Sequence, residues 1–114
     1  MNSVRENKTI KLCGVSTCTR DFIHIDDVAK AFENILFKTP NHSIYNISSG
    51  LETKLCDLID LIQLIHGCKL KVEKLPERST DISRSSLDPS LFSKEFNWRP
   101  SIKMKNGLTQ FKFL

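Results

Sequence analysis

Arginines in polar segments are the side chains of this chain best suited to bind an anion. Arg20 follows the polar stretch Gly14–Thr19, and Arg78 lies in a second polar segment, Pro76–Ser86. A guanidinium group is always charged and presents a planar set of donors that matches phosphate oxygens. Two arginines from separate loops can therefore bind a diphosphate between them. The residue types leave open the alternative that both are solvated surface arginines.

Other polar residues near Arg20 have a structural explanation. Asp26 and Asp27 stand at the start of an apolar helical pattern, where aspartate stabilises the first turn, and we expect Asp26 to be the N-cap. His24 alternates with Ile23 and Ile25, so it is expected to be a strand residue. The histidines and cysteines of the chain are too dispersed to indicate a metal site.

The composition is that of an ordinary globular protein. At 114 residues, with 39% hydrophobic and 26% charged residues, the chain forms one domain or part of one. The net charge of +4 favours anionic partners weakly. The basic residues are scattered and not interleaved with aromatic residues, so nucleic-acid binding is not expected.

The sequence contains no signal peptide and no apolar run of membrane-spanning length. A cytoplasmic protein without membrane contact is therefore expected. In that reducing compartment Cys56 and Cys68, in or beside a predicted helix, are expected to be buried thiols.

The hydrophobic pattern predicts short strands alternating with helices. Alternating apolar residues predict four strands, which are Thr9–Cys13, Phe22–Ile25, Ser43–Ile47 and Lys69–Leu75. Apolar residues at helical spacing predict four helices, which run from Asp26 to before Pro40, from a Thr53 cap to Gly67, from Asp88-Pro89 to Phe96 and over Lys105–Phe111. Pro76–Ser86 has no apolar period and is predicted to be a loop. The fold class is therefore a small mixed α/β domain.

Three stretches in this order resemble one enzyme family. They are Gly14–Ala31, which contains Arg-Asp-Phe-x-x-x-Asp-Asp-Val; Tyr45–Gly50; and Pro76–Pro100, which ends in Phe-Asn-Trp-Arg-Pro. They resemble the C-terminal part of the extended short-chain dehydrogenases/reductases. Within that family the resemblance is to the NAD-dependent epimerases/dehydratases of nucleotide sugars, such as UDP-glucose 4-epimerase. It covers about Asn2–Leu108.

The resemblance implies that residues 1–114 form a substrate-binding subdomain of an extended short-chain dehydrogenase/reductase, without the Rossmann half. In the family that half binds NAD at a glycine-rich turn and supplies a Tyr-x-x-x-Lys pair. Here the glycines stand far apart, at positions 14, 50, 67 and 107, and the one tyrosine, Tyr45, is followed at position 49 by serine. No catalytic residue is therefore expected in this chain. NAD is expected to be the cofactor of the parent protein and not to bind this chain alone.

The resemblance also implies a set of binding residues. In the family, the arginines that match Arg20 and Arg78 bind the diphosphate of the substrate. Asp81 matches an aspartate close to the second arginine, and Arg84 is a further candidate with a surface role as its alternative. The family's Arg-x-Gly-Asp lacks its glycine here, because Thr80 stands in that place. The expected ligand is a UDP- or dTDP-sugar.

Two hypotheses about function follow. In the first, the chain is the nucleotide-sugar-binding portion of an epimerase or dehydratase, with the NAD-binding half as a possible separate partner. In the second, it is a non-catalytic assembly or binding module that kept the fold. The sequence leaves open which sugar is bound and which of the two reactions is served. In either case the apolar faces of Val28–Leu36 and Leu55–Ile65 are expected to stay partly exposed and to favour homo-oligomers.

Overall fold

The computed structural model describes residues 9–13, 18–76 and 82–111. These residues form short strands and four helices. The strands are β1 (Ile10–Cys13), β2 (Thr19–Asp21), β3 (Glu52–Lys54), β4 (Val72–Leu75) and β5 (Arg84–Ser85). The helices are α1 (Ile25–Leu36), α2 (Leu55–His66), α3 (Ser90–Phe96) and α4 (Met104–Gln110). The predicted mixed α/β fold is confirmed.

The strands form two small sheets that join distant parts of the chain. In the first, β1 pairs in parallel with β4, with Ile10 opposite Val72. In the second, β2 lies between β3, which is antiparallel to it, and β5, which is parallel to it. Arg20 is therefore on the central strand of its sheet, opposite Thr53 on one side and Ser85 on the other.

The core is aromatic and lies where α1 meets α3. Phe92 is fully buried and stacks on Phe96, with ring centroids 4.5 Å apart. Trp98 meets the edge of Phe92 at 5.4 Å, and Ala31 on α1 is fully buried against this group. Side chains of α1 and of the segments before and after it complete the cluster, namely Ile23, Ile35, Tyr45 and Ile47. Such offset and edge-to-face aromatic pairs add stabilisation beyond the area that they bury.

Several predicted elements are confirmed, with ends that shift by a residue or two. β1 lies within the predicted Thr9–Cys13, and α2 ends at Gly67 in the left-handed conformation, with φ of 61°. α3 ends at Phe96, and Asn97 after it also has a positive φ, 48°. α3 begins at Ser90 with Pro89 as its N-cap, one residue later than the predicted start at Asp88-Pro89, and Asp88 Oδ1 accepts from Ser90 N at 2.9 Å.

The start of α1 differs from the prediction. The N-cap is His24, whose Nδ1 accepts from Asp26 N at 3.2 Å, and not Asp26. The strand predicted over Phe22–Ile25 lies earlier, at β2, because the ladder with β3 ends at Asp21 and the ladder with β5 ends at Arg20. A cap is decided by backbone geometry at the entry to the helix, and an imidazole nitrogen can serve as its acceptor.

The strand predicted over Ser43–Ile47 does not form. Burial alternates along the segment as it would in a strand, with Tyr45 and Ile47 packed against the core and Ile44 exposed. The segment nevertheless pairs with no other strand in the described part of the chain. An alternating pattern makes a strand only where another strand lies beside it, and none does among the described residues.

Three smaller predictions are also corrected. Thr53 lies in β3 and does not cap α2, whose N-cap is Lys54 without a side-chain hydrogen bond. The predicted loop Pro76–Ser86 contains the short strand β5. Cys56, on α2, and Cys68, two residues beyond its end, were expected to be buried but are only partly buried, whereas Cys18 is buried.

None of the helices in the described part of the chain has the length and apolar character that crossing a membrane requires.

Candidate functional site

The candidate site is built around Arg20 on β2. Its side chain is partly buried, and Nη1 donates to the carbonyl oxygen of Thr19 at 2.7 Å. That bond satisfies one of the five donors of the guanidinium group. Side chains alternate along a strand, so Arg20 projects from the face of the sheet opposite to Thr19 and Asp21.

Asp21 fixes the backbone around this strand. Its Oδ1 accepts from Ser49 N at 2.9 Å and Ser49 Oγ at 2.5 Å, and its Oδ2 accepts from Gly50 N at 2.9 Å. Ser86 Oγ donates to the same Oδ2 at 3.3 Å. Burial acts to raise the pKa of Asp21, but these hydrogen bonds outweigh it and the pKa is lowered. The ionised carboxylate therefore ties β2 to the turn before β3 and to the end of β5.

Glu52 and Arg84 form an ion pair on the same sheet. Arg84 Nη2 lies 2.8 Å from Glu52 Oε1, and Arg84 Nε lies 3.0 Å from Oε2. Thr19 Oγ1 donates to Oε2 at 2.7 Å. The hydrogen bonds from Arg84 and then from Thr19 lower the pKa of Glu52, and the pair raises the pKa of Arg84. The carboxylate thus links β3 to β2 and to β5.

The structure places two of the four predicted site residues. Arg20 lies on the central strand, and Arg84 lies on the neighbouring strand β5, where its guanidinium group is engaged by Glu52. Arg78 and Asp81 lie outside the described residues, so their roles stay predictions. Asp21 and Glu52 were not predicted. The only sequence signal for Asp21 is its place in the Arg-Asp-Phe triplet, and Glu52 has none, because its partners are 32 and 33 residues away.

Two clefts lie next to the sheet that carries Arg20. The larger, of about 570 Å³, is lined by the aromatic ring of Phe22, by hydroxyl groups and by three basic side chains, Lys94, Arg99 and Lys103. The smaller, of about 380 Å³, lies between α2, α4 and Phe22 and has mainly apolar walls. Phe22 is shared by both clefts and directly follows Asp21 in the sequence.

No metal centre emerges in the described ranges, because no group of three or more His, Cys, Asp and Glu side chains is placed to hold an ion. The side chains of Arg20, Asp21 and Glu52 offer ionic and hydrogen-bonding recognition. Arg20 supplies the charge, and Asp21 and Glu52 hold the strand that carries it.

Comparison with known proteins relates this chain to a family of enzymes. A sequence model of the NAD-dependent epimerase/dehydratase family matches residues 1–48. The chain is 32% identical over 106 residues to a UDP-glucuronate 4-epimerase of Thermodesulfobacterium geofontis, and the match covers 92% of this chain and 32% of that protein. The chain spans about a third of the length of that curated relative.

Solved structures of whole epimerases contain the same fold. The UDP-glucose 4-epimerase of Thermotoga maritima, solved with UDP-glucose, has a TM-score of 0.83 and 27% identity; the match covers 94% of this chain and 34% of that one. The UDP-glucose 4-epimerase of Thermus thermophilus, solved with NAD, has a TM-score of 0.79 and 26% identity, covering 93% and 35%.

The chain is a small mixed α/β unit of the kind found within the extended short-chain dehydrogenases/reductases. In sequence and in fold it is related to the NAD-dependent epimerase/dehydratase family, and nucleotide-sugar 4-epimerases are among its relatives.

Proposed function

We propose that residues 1–114 are the C-terminal, substrate-binding part of an NAD-dependent nucleotide-sugar epimerase or dehydratase. In this proposal the chain binds the diphosphate of a UDP- or dTDP-sugar and is not catalytically complete alone. The observation that carries the proposal is the position of Arg20. It lies on the central strand of a three-stranded sheet, in a chain whose fold matches an epimerase solved with UDP-glucose.

The geometry of Arg20 supports binding of an anion. Among the residues that the structure describes, the guanidinium group uses one donor on the Thr19 carbonyl, which leaves the rest of its planar donor set for a ligand. The nearest carboxylate in sequence, Asp21, is occupied by the backbone and hydroxyl groups of Ser49 and Gly50. Glu52 is occupied by Arg84 and Thr19. Both carboxylates therefore have hydrogen-bonding partners other than Arg20.

The other residues take supporting roles in the proposal. Arg78 is the second diphosphate-binding arginine, and Asp81 orients it or contacts the sugar nucleotide. Arg84 supports the site from β5 through its ion pair with Glu52. NAD binds to a different part of the whole protein, because this sequence carries neither a glycine-rich turn nor Tyr-x-x-x-Lys.

The test is an amide NMR titration of the chain with UDP. We expect saturable shifts at β2 and in the segment from Pro76 to Arg84, and their loss in Arg20→Ala and in Arg78→Ala. Arg99→Ala is the matched control, because it removes an exposed arginine from the neighbouring cleft and leaves β2 unchanged. UDP shifts that persist in both Arg20→Ala and Arg78→Ala, or that disappear in Arg99→Ala as well, would contradict the proposal.

A second candidate function, an assembly module, is favoured by the surface of α1. Ile25, Phe32 and Leu36 form one stripe on this helix, and their exposed fractions are 70%, 62% and 80%. An exposed apolar stripe of this kind favours association with another surface. We therefore propose that the chain forms homo-oligomers through α1, whether or not it also binds a ligand. An NAD-binding half supplied by a separate chain is the alternative partner.

A further inference from the structure

The strand that carries Arg20 is held by very few backbone bonds. β2 has three residues, its ladder with β3 covers Thr19 to Asp21, and its ladder with β5 covers only Thr19 and Arg20. Strands of this length are marginal unless side chains or packing add to the ladder. The placement of Arg20 therefore depends on what else joins β2 to its neighbours.

The carboxylate of Glu52 makes that additional connection. It is on β3, it accepts from Thr19 Oγ1 of β2, and it pairs with the guanidinium group of Arg84 on β5 at 2.8 and 3.0 Å. One side chain thus spans all three strands on a single face of the sheet. Glu52 keeps 29% of its side chain exposed and Arg84 keeps 76%, so the pair is in contact with water.

We propose that Glu52 is a positioning residue for Arg20, and that Arg84 serves the site by orienting Glu52 and not by contacting the ligand. This inference rests on the proposed function of Arg20 in diphosphate binding.

The link from Glu52 to Arg20 runs through Thr19. The hydroxyl of Thr19 donates to Glu52, its N–H donates to Ser83 O at 2.9 Å, and its carbonyl accepts from Arg20 Nη1 at 2.7 Å. The orientation of the Thr19 peptide therefore sets the direction in which the Arg20 guanidinium group lies. When Glu52 loses its charge, Thr19 and Arg84 lose the charged acceptor that they share, and their bonds to residue 52 weaken.

Loss of the Glu52–Arg84 pair is expected to change the position of the Arg20 guanidinium group more than the free energy of unfolding. Exposed ion pairs contribute little to the free energy of unfolding, because water and salt screen them. A displaced guanidinium group, in contrast, loses affinity steeply, since bidentate phosphate binding depends on its planar geometry. A residue whose loss lowers affinity while the melting temperature stays nearly constant is a positioning residue and not a general structural one.

The experiment compares Glu52→Gln and Arg84→Gln with the matched control Glu33→Gln, which makes the same change at an exposed position on α1. The melting temperature of each variant is measured, together with three quantities by NMR: the dissociation constant for UDP, the exchange rate of the Thr19 amide, and the Arg20 Nε–H signal. We expect about fivefold faster Thr19 exchange and about fivefold weaker UDP binding in Glu52→Gln and in Arg84→Gln, because a charge-assisted bond is lost in each. We expect no change in Glu33→Gln.

The double variant Glu52→Gln/Arg84→Gln adds an independent test. Because both single changes break one network, the double variant is expected to match either single variant, and not to show the sum of their effects. Arg20 Nε–H and Thr19 amide signals that stay unchanged in Glu52→Gln would overturn the inference, whatever the UDP result. Failure of the unmodified chain to bind UDP would contradict the proposed function, and the Thr19 and Arg20 signals would still decide the positioning role.

Discussion

Asp27 on α1 and Ser101, 74 residues further along the chain, are joined by two hydrogen bonds. Ser101 N and Ser101 Oγ each donate to Asp27 Oδ1 at 3.0 Å, and Ile102 N donates to Oδ2 at 2.9 Å. Asp27 is fully buried. Burial acts to raise its pKa, but the hydrogen bonds outweigh burial and the pKa is lowered. The second aspartate of the Asp-Asp pair therefore anchors the segment before α4.

We expect Asp27→Asn to destabilise the fold by about 3 kcal/mol. The amide can replace only one carboxylate oxygen, so one buried backbone N–H loses its acceptor and faces a donor. Asp26→Asn is the control, because the adjacent carboxylate is exposed and is expected to change stability by less than about 0.5 kcal/mol. Urea unfolding of the two variants measures the difference, and equal midpoints would refute it.

Stability is expected to fall in acid, as the pH drops below about 4. The folded-state pKa values of Asp27 and Asp21 are lowered, so their contribution is complete above the unfolded pKa near 3.9 and is lost as the pH falls below it. Asp27→Asn removes one of these groups and should flatten the pH dependence of the unfolding free energy. If the unfolding free energy of the variant and of the parent chain varied with pH in parallel, Asp27 would have the same pKa in the folded and the unfolded state, which would contradict the prediction.

Truncation of Phe92 is expected to cost about 4 kcal/mol in the variant Phe92→Ala. This ring is fully buried and contacts Phe96, Trp98 and Tyr45, so its removal leaves a cavity in the centre of the core. Phe37→Ala makes the same chemical change at a side chain that is 89% exposed, and little change is expected there. Thermal unfolding measures the stability of both variants, and a similar loss of stability in each would contradict the placement of Phe92 at the centre of the core.

Gly67→Ala isolates the cost of backbone conformation. Gly67 has φ of 61°, and a Cβ added there meets no atom within 4 Å. The expected loss of about 1 kcal/mol therefore comes from the left-handed conformation and not from a clash. Gly107→Ala is the contrasting variant, since its Cβ would lie 2.8 Å from His24 Cδ2. Denaturant midpoints should fall for both variants, and an unchanged midpoint for Gly67→Ala would exclude the backbone explanation.

Self-association is expected to depend on Phe32. Phe32→Glu places a charge in the middle of the exposed stripe on α1 and should shift the chain towards the monomer in sedimentation equilibrium. Ile44→Glu is the control, because Ile44 is 81% exposed but lies on a different segment. A parent chain that is monomeric at high concentration, or an equal shift in both variants, would rule out α1 as the interface.

The sequence predicted the helices well because their signals are local. Apolar spacing located α1 and α2, and Gly67 marked a helix end where a positive φ is needed. The prediction of a strand over Ser43–Ile47 was wrong, because strand formation depends on residues distant in the sequence. Its alternation is present in the folded chain, but a ladder depends on a neighbour that the local pattern does not reveal.

Only part of the candidate site could be predicted, because its contacts also join residues that are far apart in the sequence. Arg20 was found from its residue type and from the family resemblance, and its place on a central strand is a product of topology. The pairing of Arg84 with Glu52 depends on two residues 32 positions apart, and no local spacing predicts it. Likewise, Asp27 was expected to stabilise a helix start, whereas its partners lie beyond α3.

The parallel pairing of β1 with β4 has a consequence for how the chain folds. Ile10 must find Val72 across more than half of the sequence, and the core needs Ala31 from α1 together with Trp98 from the segment after α3. Closing such long loops costs entropy before any contact compensates for it, which makes folding slow. During synthesis on the ribosome, α1 and α2 therefore emerge well before the residues that cover them. Their apolar surfaces are open to chaperones, or to other copies of the chain, throughout that interval.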